Sequence, residues 1–348
     1  MKVLVTGGAG FIGSNFVRWV GEHRSSWQIT VLDNLSYAGN FENIASCVES
    51  DGVRFVAGDI GDREAVTALF REGSFDLVFH FAAESHVDRS ILGAAPFVIT
   101  NVVGTEVLLS VAKQYPSCRF IHVSTDEVYG SLGETGAFTE ESPLVPSSPY
   151  SASKAGSDLL ALAFAHTYGQ DVIVTRCTNN YGKYQFPEKF IPLFVTNALE
   201  DRELPLYGDG MNVRSWIHVT DHCRALVMIA EGGRTGAVYN VGGGAEFEKP
   251  NREVALLILK QLGKSESLLK FVADRLGHDR RYAVDSSLLR HELGWAPLVP
   301  FEKGVKETID WYRENRGWWE RIKSGAYRDY YEQNYGSRVN AGTKVCSG

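Results

Sequence analysis

Cysteine is scarce: five residues in 348, at Cys47, Cys118, Cys177, Cys223 and Cys346. The count is odd, the spacing is wide and no Cys-x-x-Cys pair occurs. That argues against a disulfide framework and against a structural zinc site. Buried free thiols in a reducing compartment are the expectation, and no metal is expected. Basic residues are outnumbered as well. Lys plus Arg total 35 against 42 Asp plus Glu, a formal charge of −7, with no basic block. A general nucleic-acid binder or a protein held to anionic membranes is thereby excluded, while a local cationic pocket for a phosphate stays open. No apolar run reaches the roughly 20 residues that span a bilayer. Met1–Thr6 lead directly into glycines, without the apolar length or cleavage pattern of a signal peptide. The expected location is the cytoplasm. Internal repeats and long low-complexity tracts are missing too. With 44% apolar and 22% charged residues, the chain has the material for a large core.

What is present is alternation. Lys2–Val5, Gln28–Leu32, Val53–Ala57, Leu77–Phe81, Arg119–Val123 and Val172–Arg176 are short apolar runs, as expected for parallel strands covered on both faces. Between them Phe11–His23, Arg63–Arg71, Pro96–Gln114 and a segment from Tyr150 read as helices. Repeated βαβ units predict an α/β fold with a Rossmann-type doubly wound parallel sheet. The second half is less regular, broken by Pro187, Pro192, Pro205 and the Gly208–Gly210 turn. Ser215–Val219 and Ala237–Val241 read as strands there, and Asp221–Glu231, Asn251–Gln261 and Pro300–Glu314 as helices. The expectation is a cofactor-binding domain over 1–178 and a smaller, irregular substrate-binding domain over 179–335. Segments are allowed to cross between them, and a flexible tail follows over 336–348.

Three motifs carry chemistry. Gly7, Gly10 and Gly13 lie between the first strand and the first helix. The first permits a tight turn, the second lets a diphosphate approach the backbone, and the third lets helix and strand pack closely. The helix N-terminus then offers unpaired N–H groups to phosphates. Asp33 ends the second strand, where a carboxylate accepts from ribose hydroxyls and repels a 2′-phosphate. Asn34 and Leu35 follow it rather than an arginine, so NAD is favoured over NADP. Asp59 and Ile60, past the third strand, could meet the adenine.

Tyr150 and Lys154 are four apart on a helix that Ser148 can cap and Pro149 can begin. A nearby ammonium and the helix N-terminus favour phenolate, predicting a lowered tyrosine pKa and a base for a sugar hydroxyl. Thr125-Asp126-Glu127 follow the fifth strand, at the sheet edge where ligands bind in this architecture. Adjacent carboxyls discourage double ionisation, so one can serve as acid and the other as base. In a continuing strand they would point to opposite faces, so both reach one site only if the strand has ended.

Gly7-x-x-Gly10-x-x-Gly13 and Tyr150-x-x-x-Lys154 resemble the extended short-chain dehydrogenase/reductase family. Thr125-Asp126-Glu127, Phe81–Asp88, Asn179–Gly182, Phe186–Lys189 and His278–Tyr282 sharpen the likeness to its nucleoside-diphosphate-glucose 4,6-dehydratases, foremost those acting on dTDP-glucose. The likeness runs from Met1 to about Trp319. It implies an internal redox cycle with a tightly held NAD that is regenerated in each turnover. Tyr150 would deprotonate the C4 hydroxyl, Thr125 hold it, Glu127 abstract the C5 proton, Asp126 protonate the leaving C6 hydroxyl, and Lys154 tune Tyr150. The implied cofactor set is Gly7, Gly10, Phe11, Ile12, Gly13, Asp33, Asn34, Leu35, Ser36, Asp59, Ile60, Phe81, Ala82, Ala83, Thr100, Tyr150, Lys154 and Asn180. Ser85, Thr125, Asn179 and Lys189 would meet the sugar or phosphates. Arg214, Asn251, Arg281 and Tyr282 would serve the diphosphate or nucleoside, with Pro205, Leu206 and Tyr207 forming the base pocket. Lys183 and Leu276 depart from positions where proline is common. The family also implies a homodimer built on Pro96–Gln114 and Tyr150–Tyr168. A UDP-sugar 4,6-dehydratase, a 4-epimerase and an inactive NAD-binding protein are the competing readings.

Overall fold

The computed structural model describes residues 1–50 and 52–324. Twelve strands are found among these residues. The first six are β1 Lys2–Thr6, β2 Gln28–Asp33, β3 Arg54–Ala57, β4 Leu77–His80, β5 Arg119–Thr125 and β6 Val172–Cys177. They are followed by β7 Asn179–Tyr181, β8 Leu204–Tyr207, β9 Val213–His218, β10 Val238–Val241, β11 Glu248–Pro250 and β12 Leu269–Val272. Seven of them form one sheet in the order β3-β2-β1-β4-β5-β6-β10, and every pair is parallel. The connections leave β1 in one direction and β4 in the other, so the sheet has its topological switch between these two strands.

Alternation within each strand explains the two layers. Val3 and Val5 enter one core with Phe16, Val17 and Val20 of helix Phe11–His23, while Leu4 enters the other with Leu69 and Leu108. All three β1 residues are fully buried, a contribution of about 1.5–3 kcal/mol each. Helix Val219–Gly232 packs on the first of these layers, and β10 completes the sheet. Residues 219–241 thus belong to the large sheet although they lie late in the chain. A third core gathers Phe194, Trp216, Val254, Tyr312 and Trp319 beneath the small sheets β11-β9-β7 and β12-β8. Residues 325–335 and the expected tail lie outside the described residues.

The expected helix over 96–114 is not uniform. It is α-helical over Ala95–Phe97, widens to a π-helix over Val98–Gly104 and tightens again over Thr105–Ala112. Ala95–Ala112 is 18 residues long and apolar enough to cross a membrane by length and composition. Half of it is buried, and Asn101 and Thr105 make side-chain hydrogen bonds inside the fold. π-Helical insertions often mark functional positions. Here Thr100 lines the main cavity, and Asn101 accepts from Glu84 N at 2.8 Å and donates to Ser153 Oγ at 2.9 Å.

Candidate active site

The main cavity opens at the carboxyl edge of the sheet, across the β1/β4 switch. Its floor begins with the glycine turn. Gly7 has φ +71°, and a Cβ there would lie 2.6 Å from Ala82 N. A Cβ on Gly13 would meet Gly7 O at 2.3 Å. Gly10 differs, since a Cβ there would meet only Gly7 O at 3.3 Å, and its bareness keeps the cavity open. Gly10 also caps helix Phe11–His23 without any side-chain bond, which leaves the first amides to a ligand. Asp33 accepts from Ala9 N at 2.9 Å and Leu35 N at 2.8 Å, which fixes its carboxylate beside the turn. Burial raises its pKa against those two bonds. The group that fits this cradle is a dinucleotide with free ribose hydroxyls.

Strand β5 ends at Thr125, and Asp126–Tyr129 turn into a single 3-10 helix. The condition set by the sequence is therefore met: both carboxylates line the same cavity. Thr125 accepts from Glu127 N at 3.3 Å and donates to Asp126 Oδ1 at 3.3 Å. Burial, reinforced by the charge of Glu127, pushes Asp126 up to about 8, so it holds its proton at neutral pH. Glu127 is raised by burial too, but Arg275, Lys189 and Arg214 oppose that rise. Asp126 Oδ2, Thr178 Oγ1 and Asn179 Oδ1 are buried atoms of residues that line the cavity, and they have no protein hydrogen-bond partner. Buried polar atoms beside a cavity are what a hydroxylated ligand would satisfy.

Helix Pro149–Tyr168 starts as its sequence predicts. Ser148 caps it and forms a reciprocal box with Ser151, and Pro149 is the first residue. Tyr150 and Lys154 both line the cavity. The expected lowering of Tyr150 is not found. Burial, Glu127, Cys177 and Asp126 hold it well above its ordinary value, and a hydrogen bond with Thr125 only partly offsets them. Lys154 donates to Val123 O at 2.9 Å, and burial depresses its own pKa. The physical reason is first the burial of the phenol, to which the charge of Glu127 adds, while the Lys154 ammonium is engaged by a carbonyl.

Of the expected cofactor residues, Gly7, Gly10, Phe11, Ile12, Gly13, Asp33, Asn34, Ser36, Ile60, Phe81, Ala82, Ala83, Thr100 and Asn180 line the cavity with Tyr150 and Lys154. Ser85, Asn179 and Lys189, expected to meet the sugar or phosphates, line it as well. Leu35 and Asp59 do not. Leu35 takes a left-handed φ of 52°, and Asp59 instead accepts from Asn34 Nδ2 at 2.9 Å. The nucleoside set lies outside this lining as well. Leu206 points into the third core, 1% exposed, because β8 buries Leu204 and Leu206 together. Pro205 is also buried, and Asn251 heads helix Asn251–Leu262. Arg281 is held bidentately by Glu248 at 2.7 and 3.0 Å. Arg214 stacks 4.4 Å from the Tyr282 ring and donates to Asp279 O. Tyr207 donates to Asp88 at 3.0 Å.

Several residues escaped the sequence reading. Arg275 is half-buried, 3.6 Å from Asp88, and its charge reaches Glu127, Tyr207 and Tyr282. It lies three residues before the quoted His278–Tyr282 motif, which was the one available signal. Tyr37, Glu84, Gln185, Phe186 and Glu188 also line the cavity. Arg89 bonds Glu188 at 3.1 Å and stacks 4.3 Å from the Tyr37 ring, which bridges distant segments.

The family model described as GDP-mannose 4,6 dehydratase matches residues 4–308. A dTDP-glucose 4,6-dehydratase of Streptomyces niveus is 53% identical, over 93% of this chain and 96% of that protein. The dTDP-glucose 4,6-dehydratase 1 of Escherichia coli is 47% identical, over 97% of this chain and 100% of that one. Among solved structures, DesIV, a dTDP-glucose 4,6-dehydratase of Streptomyces venezuelae with NAD and TYD bound, superposes with a TM-score of 0.89. It is 54% identical, over 93% of this chain and 100% of that chain. The UDP-glucose 4-epimerase of Thermus thermophilus in complex with NAD gives 0.83 at 31% identity, over 90% and 100%. With the glycine cradle, the acid pair and the Tyr–Lys helix on one cavity, the chain belongs to the family of nucleotide-sugar dehydratases that the GDP-mannose 4,6 dehydratase model describes.

Proposed function

We propose that this chain is an NAD-dependent dTDP-glucose 4,6-dehydratase, converting dTDP-glucose to dTDP-4-keto-6-deoxyglucose with loss of water. The observation that carries the reading is the pair of buried Asp126 and half-buried Glu127 on the cavity that also holds Tyr150 and Lys154. Exchange at C4 alone needs no such pair. Removing water across C5 and C6 needs a separate base and acid. Identity of 53% and 47% to two curated dehydratases, over more than nine-tenths of the chain, supports the same substrate.

Bound NAD would supply a hydride acceptor for C4, a hydride donor for C6 once reduced, and a positive ring charge that favours Tyr150 phenolate. Asp33 and the glycine turn would hold its adenosine and diphosphate, and Lys154 its second ribose. Thr125 keeps the C4 hydroxyl beside Tyr150, which takes its proton. The 4-keto group acidifies C5, and Glu127 removes that proton. Asp126, kept protonated by its burial, hands its proton to the C6 hydroxyl, which departs as water. Glu127 then returns a proton to C5. Lys189 and Arg214 supply cations toward the phosphates. With dTDP-[4-²H]glucose and catalytic NAD, the expected product is a 4-keto-6-deoxy sugar carrying the label at C6, read by NMR. Recovery of dTDP-galactose instead would contradict the proposal.

The same reading includes a homodimer in the cytoplasm. Val98, Ile99 and Val103 of the 95–112 helix and Leu159 of helix Pro149–Tyr168 are exposed apolar residues on two elements that pack together. A patch of this kind suits a second copy forming a four-helix contact. Light scattering should give twice the chain mass. Ile99→Asp should weaken association by about tenfold or more, and a monomeric parent chain would refute the dimer.

A further inference from the structure

We infer that Asp158 and Arg176 are positioning residues for this reaction, forming a buried hub that sets a carboxylate one helical turn from Lys154 and locks the catalytic elements to one another. The inference rests on the function proposed above. Asp158 lies one turn after Lys154 on the same helix face and is fully buried. Its Oδ2 accepts from Arg176 Nε at 2.8 Å, and its Oδ1 lies 3.2 Å from His122 Nε2. Arg176 Nη1 also donates to Tyr129 Oη at 2.9 Å, and that hydroxyl donates to Asn240 Oδ1 at 2.9 Å.

Each contact ends on a different part of the site. His122 is three residues before Thr125 on β5. Tyr129 closes the turn that carries Asp126 and Glu127. Arg176 sits on β6, three residues before Asn179, and Asp158 is on the Tyr150–Lys154 helix. A buried ion pair is weak as a source of stability, because desolvation consumes most of its attraction. Its worth here is geometric and electrostatic. Burial lowers the pKa of Lys154, and the Asp158 carboxylate is the first charge that opposes this. The other titratable groups around Lys154 are Tyr150 on its own helix, His80 on β4, His122 on β5 and Cys177 on β6, with Arg176 beyond Asp158.

The test uses the full-length holoenzyme carrying Asp126→Asn, in which Asp126 cannot titrate and the reaction halts after C4 oxidation. Formation of bound NADH from dTDP-glucose is followed against pH. The alkaline fall reports loss of the Lys154 proton. Adding Asp158→Asn should move that fall down by about 1–3 pH units, and Asp158→Glu should restore it. Arg176→Gln leaves the carboxylate less neutralised and should move the fall up. Arg176→Lys keeps the charge but cannot reach both partners, so in the otherwise unaltered enzyme it should lower kcat by roughly tenfold with KM unchanged. Where Asp158→Asn or Arg176→Gln does not fold, that kcat and KM split decides. An unmoved alkaline fall in folded Asp158→Asn, or unaltered kcat in Arg176→Lys, overturns the inference. No NADH at any pH in the Asp126→Asn parent would overturn the proposed function instead.

Discussion

Glu127→Gln is expected to oxidise its substrate and then stop. Mixed with dTDP-glucose, the holoenzyme should accumulate bound NADH while release of the 4-keto-6-deoxy product falls by about 10²–10⁴-fold. An amide cannot take the C5 proton, yet the C4 hydroxyl still meets Thr125 and Tyr150. The first step should even become easier at low pH. Among the neighbouring charges on Tyr150, Glu127 is the foremost that raises its pKa. Removing that charge lowers the phenol, so NADH should appear at a lower pH than in the unaltered enzyme. Tyr150→Phe is the counterpart and should suppress NADH formation itself. Stopped-flow absorbance and fluorescence read both. Normal turnover by Glu127→Gln would remove Glu127 from the mechanism.

Asp126→Asn should abolish dehydration to a similar degree and make the folded protein more stable at neutral pH. Asp126 is buried and its pKa is raised from 3.8 to about 8. A raised acid binds its proton more tightly folded than unfolded. The resulting stabilisation is complete below the ordinary carboxylate range and is lost as pH climbs toward 8. Over that window the folded chain must retain a proton that the unfolded chain has released. At pH 7 this costs on the order of 4 kcal/mol, which asparagine escapes. Melting curves at several pH values should therefore show the variant melting higher around pH 7–8 and the difference closing by about pH 4. A difference independent of pH would show that Asp126 is not held protonated. The same proton predicts that elimination in the unaltered enzyme declines above about pH 8, since an ionised Asp126 cannot donate.

The two predictions draw on different kinds of information. That Asp126 and Glu127 stand at the ligand-binding edge of the sheet was legible from their place after a buried apolar strand, and so was the need for that strand to end if both were to line one cavity. Which carboxyl carries the proton was implied by the family likeness alone, not by the pattern of residues. The assignment of acid and base depends on how much water each side chain loses and on where Arg214, Arg275 and Lys189 come to rest. Those cations lie far along the chain from the pair, on segments that only folding brings near. The tyrosine was misjudged for a related reason. A four-residue spacing puts Lys154 on the face of Tyr150, but it is silent on the burial and the Glu127 charge that hold the phenol up, and on the Val123 carbonyl that takes the ammonium.

Sequence alone determined the layered fold, its strands up to β6, the glycine cradle, and the Ser148–Pro149 helix start. These are local matters: strand and helix periods, turn residues and caps act within a few residues of one another. Tertiary structure alone decided that 219–241 return to the large sheet and that Leu206 faces a core. It also decided that Arg281 is already engaged by Glu248, that Arg275 comes to lie beside Asp88, and that Arg176 pairs with the buried Asp158. Burial and charge pairing are sums over groups that only the folded chain brings together, and no local pattern encodes such a sum.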